Sequence, residues 1–191
     1  MRTFIGLLVA SASLLAQEVA LELDPTQTQV NFTLGDVLHT VHGTFKLKRG
    51  SFRFDNATGA AEGSFAVDVP SGQSGSDARD KRMHKEILES QKYPEAVFTA
   101  GHMDGRIAPQ GESKISVHGT FRIHGADHEM VLPVAVRNKG GQYEASIHFV
   151  IPYVKWGMKN PSNFLLKVNP EVEVDIKTTA RPGSAVVSAR Q

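Results

Sequence analysis

The chain has 191 residues, with ten phenylalanines, one tryptophan and no cysteine. Its 21 Lys and Arg are balanced by 20 Asp and Glu, which argues against nucleic acid, whose binding rests on clustered cations that neutralise phosphate. The missing cysteine excludes a thiol nucleophile, a Cys-based metal site, a lipidated Cys and any disulfide staple. The length suffices for one domain with a sizeable core.

Residues 1–16 read as a signal peptide. Met1-Arg2-Thr3 is a short basic start, and Phe4 to Leu15 is an apolar run too short to span a bilayer comfortably. Ala16 suits the last residue before cleavage, although Leu14 departs from the small-x-small pattern. The alternative is an uncleaved N-terminal anchor. Removal of residues 1–16 takes away Arg2 and leaves 20 basic and 20 acidic residues. Export without a disulfide requires a core that holds unaided.

From there the chain alternates with a period of two. Val19, Leu21 and Leu23 come first, then the turn Asp24-Pro25, then Val30, Phe32 and Leu34. Val41, Gly43, Phe45 and Leu47 form a third run, which Gly50 is expected to break. Phe52 and Phe54 form a fourth. Gly63, Phe65, Val67 and Val69 form a fifth, with Pro70 expected as its end and Ser71 to Ser76 as a loop.

Asp77 to Phe98 holds the one long helical pattern. Lys81, Lys85, Glu89 and Lys92 make a polar stripe, with Met83, Ile87 and Leu88 on the opposite side. Ser76 or Asp77 suits the cap, and Pro94 is the expected stop. Further strands follow at Ala96–Phe98, Ile115–Ile123, Met130–Val136, Ala145–Ile151 and Val172–Ile176, separated by Gly-containing turns. Many strands, hairpin turns and one short α-helix predict an all-β fold: an up-and-down antiparallel barrel of about eight strands. The expected domain is 17–178, with 179–191 as a flexible tail.

Most phenylalanines stand on the apolar side of a strand. Gly43, Gly63 and Gly119 share that side with Phe45, Phe65 and Phe121. Gly beside Phe either makes room for a guest or relieves strand bending. The eight histidines match no common zinc spacing. His39 and His42 have opposite strand parity, and His118 lies on the outward parity with Thr120 and Arg122. His124 and His128 flank a turn. No metal site is expected. No G-x-S-x-G elbow, P-loop, dinucleotide-binding fingerprint or HExxH motif occurs, so no catalytic residue is assigned and a non-enzyme is expected.

The run RDKRMHKEILESQKYPEAVF, the hairpin GTFRIHGADHEMVLPVAV and the early DPTQTQVNFTL and VHGTFKLKRGSFRFD together resemble the YceI-like family over about residues 19–177. The resemblance implies a lipocalin-like, extended barrel with an apolar tunnel for a polyisoprenoid or similar amphiphile. It also implies export to the periplasm or beyond. Two departures concern the head group. Asp36 stands where relatives carry a His, and Pro152-Tyr153-Val154-Lys155-Trp156-Gly157 replaces an acidic-aromatic-Gly segment.

The expected lining is Phe32, Phe45, Phe65, Met83, Ile87, Phe98, Phe121, Phe149 and Trp156. Arg79, Arg82 and His84 are head-group candidates, against the alternative of a solvated helix with local ion pairs. The bound isoprenoid would be a ligand, with no cofactor. Transient membrane contact and a homodimer are both compatible with this reading. A protein-interaction module with a filled barrel is the rival, and an enzyme acting on a lipid head group comes third.

Overall fold

The computed structural model describes residues 18–35, 39–164 and 167–183. The predicted signal peptide and Asp36 lie outside the described residues. The strands are β1 (Glu18–Leu23), β2 (Gln29–Gly35), β3 (Thr40–Asp55), β4 (Ala60–Gln73), β5 (Glu95–Asp104), β6 (Gly111–Ile123), β7 (Ala126–Lys139), β8 (Gln142–Ile151) and β9 (Val172–Pro182). Every pairing is antiparallel, and β2 to β9 pair in chain order.

β2 pairs with β9 as well as β3, so these eight strands close a ring. β1 does not add a ninth stave. It lies along Ser51–Asp55 of β3 and Ala180–Pro182 of β9, in line with β2 and joined to it by the Pro25–Gln27 turn. The all-β, up-and-down barrel with one short helix is therefore present, and closure removes the exposed edges that invite aggregation.

Gly50 does not end a strand. The third and fourth alternating runs form one strand of 16 residues, β3. The ladder shifts register between Leu47 and Arg49, so Lys48 and Arg49 both face solvent. This bulge flips the parity and lets Leu47 and Phe54 both stay buried. Pro70 does not end β4 either. Register jumps from Asp68 to Gln73 opposite β3, and the Ser71 hydroxyl accepts from the Lys46 amide at 2.8 Å. A side chain thus supplies the acceptor that the bulged backbone withdraws.

The helical segment is shorter than its sequence pattern. α1 spans Asp77–Arg82 and continues as a π-helical turn over Met83–Ile87. The stop is not Pro94. Glu89 takes a left-handed φ of 44°, while Leu88 and Ser90 donate back to the carbonyls of Met83 and His84. Ser76 sits at the cap without a side-chain cap bond. Asp80 instead accepts from the Ser74 amide at 2.8 Å. At the C-terminus, β9 runs through Pro182, four residues beyond the expected boundary at 178, because Leu21–Leu23 supply its partner.

The bulge carries a testable ion cluster. Arg49 donates to both carboxylate oxygens of Glu95 at 2.7 and 2.8 Å, and Lys48 reaches the same group at 2.9 Å. Arg49 first, then Lys48, holds the Glu95 carboxyl down at about 2, against an ordinary 4.5. Between these values the unfolded chain binds a proton that the folded chain does not. Stability therefore rises with pH across that window and is lost as pH falls towards 2. The pair is solvent-facing, so the effect is small. Melting temperatures of wild type and Glu95→Gln from about pH 5 to pH 2 check it. The wild type should lose more on acidification, and parallel curves would contradict the assignment.

The interior has two different halves. Towards the Gly105 end it is filled. Phe54, Met103 and Leu132 are the largest fully buried side chains there, with Ala61, Ile115 and Val117 packed around them. Towards the other end, where α1, residues 152–164 and residues 167–171 lie, it is hollow.

Candidate functional site

The open half holds a cavity of about 530 Å³. Its wall is built from the inward positions of β2, β3, β4, β5, β6, β8 and β9. Val30, Phe32, Val41, Phe45, Phe65, Val67, Phe121, Ile123, Phe149, Ile151, Val174 and Ile176 line it. On β9 the lining runs from Val172 to Ile176, about 15 Å of strand. The cavity is thus shorter than the barrel, because the filled half closes its floor.

The helical segment and the described part of the β8–β9 connection border the mouth at the opposite end. Ala78, Arg79, Arg82, Met83, Ile87 and Leu88 contribute from the helical side. Met158, Pro161 and Val168 contribute from the connection. Three ties hold that connection down. Tyr153 donates its hydroxyl to the Asn169 carbonyl at 2.8 Å, the Asn169 amide donates to the Gly35 carbonyl at 2.9 Å, and Lys159 pairs with Glu86 at 2.8 Å. Lys159, foremost, holds the Glu86 carboxyl below its ordinary value. Burial pushes the Tyr153 phenol up, which suits a group kept neutral at an apolar wall.

Of the residues expected at the site, Phe32, Phe45, Phe65, Met83, Ile87, Phe121 and Phe149 line the cavity, as do Arg79 and Arg82. Three are placed elsewhere. Phe98 is only 3% exposed, stacked on Phe65 at 5.5 Å, with its ring over Gly119. A Cβ on Gly119 would stand 2.6 Å from that ring, and one on Gly43 2.2 Å from the ring of Phe32. These glycines make room for the protein's own rings rather than for a guest. Trp156 lies behind the wall, stacked on His128 at 3.9 Å and 6.1 Å from Phe121. His84 faces neither cavity nor solvent ligand. Its ring joins the Gly72 carbonyl at 2.9 Å to the Ser90 hydroxyl at 2.7 Å, which pins the helical segment to β4.

The aliphatic lining on β4, β8 and β9 follows the same period-two alternation as the phenylalanines and was readable from it. Met158, Pro161 and Val168 were not, since their segment has no period. Among the described residues no group of three His, Cys, Asp or Glu is placed to hold a metal ion. His118 faces outward and meets Asp104 at 2.7 Å, and His124 pairs with Glu89 at 2.7 Å.

An eight-stranded closed barrel with an apolar cavity under a short helix is now in view. The YceI-like domain profile matches residues 21–180. The chain belongs to the YceI-like family. The protein YceI of Escherichia coli O6:H1 is 24% identical over 141 residues, 72% of this chain and 71% of that one. Among solved structures, Burkholderia cenocepacia BcnA superposes with a TM-score of 0.68 at 18% identity, covering 82% of this chain and 98% of that one. A polyisoprenoid binding domain from Saccharophagus degradans, implicated in plant cell wall breakdown, superposes with a TM-score of 0.67 at 20% identity. It covers 86% of this chain and 99% of that one. At these identities the superpositions establish the fold.

Proposed function

We propose that this protein is a non-enzymatic carrier or reservoir that binds, sequesters or transports an isoprenoid lipid of the polyprenyl or quinone type in the periplasm. The observation that carries the reading is the cavity. It is deep and closed at its floor, and its described walls are apolar apart from a few polar groups at the helical end. The polyisoprenoid-binding relative supports the ligand class. The apolar run Phe4 to Leu15 after a basic start supports export. The cavity also weighs against a filled barrel serving only as an interaction module.

Volume limits what is enclosed. At 530 Å³ the cavity falls within the range of small-molecule pockets, about 300–1,000 Å³. Each CH₂ buried there stabilises by about 0.8 kcal/mol nominally, with chain-ordering costs subtracted from the sum. Specificity then falls to cavity length and to the few polar groups at the mouth.

The test is thermal. Protein stripped of lipid and then given geranylgeraniol at a hundredfold its dissociation constant gains about 2.7 kcal/mol. In a chain of this size that raises Tm by roughly 5–10 °C. A melting curve indifferent to every added isoprenoid would overturn the reading.

A further inference from the structure

We propose that the lipid carries an anionic head, a phosphate or carboxylate, clamped by Arg79 and Arg82 at the cavity mouth. This rests on the lipid-binding reading and narrows it. Among the described residues that line the cavity, these arginines are the only charged side chains, and both are cationic. They stand three residues apart, so they project from one side of the helical segment. The polar side chains beside them are Ser74 and Ser76; the Ser74 hydroxyl hydrogen is committed to Asp80, which leaves the Ser76 hydroxyl able to donate to an anion.

The arrangement is preorganised. Arg79 donates through Nε to the Ser74 hydroxyl at 2.8 Å and through Nη2 to the Ser74 carbonyl at 2.7 Å. Ser74 is itself buried and donates onward to Asp80. The guanidinium is thereby fixed in place, while its Nη1 donates to none of the described residues. Arg82 is weakly paired. Its Nε lies 3.6 Å from Glu86, whose carboxylate is held more closely by Lys159 at 2.8 Å. Asp80 lies behind Ser74, and neither Asp80 nor Glu86 lines the cavity.

Both arginines are exposed at the rim, so a neutral head leaves them in water, with Arg82 facing a Glu86 carboxylate that Lys159 holds more closely. An anionic head would accept from both arginines, and charge-assisted bonds are roughly twice as strong as neutral ones. A guanidinium presents a planar fork that matches phosphate and carboxylate geometry.

The experiment compares three radiolabelled probes of one chain length on the stripped protein: geranylgeranyl phosphate, geranylgeranoic acid and geranylgeraniol. Both anions are expected to bind about tenfold or more tighter than the alcohol, as one decade corresponds to a single good charged contact. In the double variant Arg79→Ala/Arg82→Ala the preference should collapse while the alcohol's affinity is kept. Lys85→Ala, on the exposed stripe, should keep the preference. Should Arg79→Ala unfold the Ser74 loop, Arg82→Ala alone should still lower the ratio of anion to alcohol affinity. Inorganic phosphate should fail to displace the lipid phosphate, which separates a lipid head group from a free-phosphate site.

Equal binding of alcohol and anions by the wild type would overturn the anionic head and leave lipid binding intact. Displacement by inorganic phosphate, or a double variant that keeps the preference, would also overturn it. Failure of all three probes would overturn the lipid reading and this inference with it.

Discussion

Phe54→Ala is expected to destabilise the protein by about 3–5 kcal/mol, and added lipid should not narrow that deficit. Phe54 is 2% exposed and lies in the filled half, against Phe52 at 6.0 Å. Truncation there opens a sealed void with no route for a guest. Phe121→Ala should behave differently. Phe121 is also buried, at 4%, but its ring forms part of the cavity wall. Its removal merges the new space with the existing cavity, and a lipid chain can refill part of it. Melting temperatures of wild type and both variants, stripped and then loaded with geranylgeraniol, give the comparison. The gap between wild type and Phe54→Ala should be unchanged by lipid, and the gap for Phe121→Ala should shrink. Gaps that are equally insensitive to lipid in both variants would mean that Phe121 belongs to a packed interior.

The second large effect is on occupancy. Ile87→Asp should lower lipid affinity by at least about tenfold, since an uncompensated polar group in an apolar site costs ~1–3 kcal/mol or more. Ile87 is the better test than Met83, although both line the cavity. An aspartate at 83 would lie one helical turn from Arg79 and be partly neutralised by it. Lys85→Asp, on the solvent side of the same segment, should leave affinity near that of wild type. Equal lipid retention by folded Ile87→Asp and Lys85→Asp would show that the helical face is misassigned.

Much of the barrel was legible because period-two alternation and turn chemistry agree along most of the chain. The β6–β7 hairpin is the clearest case: Gly111 to Ile123 pairs with Ala126 to Asn138 without a register shift. Where sequence reasoning went astray, a bulge or a single backbone angle intervened. Gly50 and Pro70 look like breakers, yet the first follows a parity-flipping bulge and the second sits inside one. Pro94 looks like the helix stop, but Glu89 turns the backbone first.

The division of the interior was not legible. Phe54 and Phe121 follow the same alternating rule, and only three-dimensional packing separates the filled half from the open one. Gly72 shows why. A Cβ there would strike the Phe45 ring at 2.4 Å and meet the Met83 methyl at 3.0 Å. The position sits in the β4 bulge and lets the helical segment close on the barrel mouth, and no local pattern marks it as doing so. Arg79 and Arg82 line the cavity beside Met83, as their place in the helical pattern led one to expect. His84 was not separable from them, since its two hydrogen bonds run to Gly72 and Ser90, distant in pattern though near in space.

The central claim, that the open half of the barrel carries a lipid chain, is tested most directly by organic-solvent extraction of the freshly purified protein followed by mass spectrometry. The account predicts a co-purifying lipid in amounts approaching one per chain, its apolar part long enough to fill the cavity, with uptake of added isoprenoid by protein that has been stripped. Repeated recovery of no lipid, together with no uptake by the stripped protein, would contradict it.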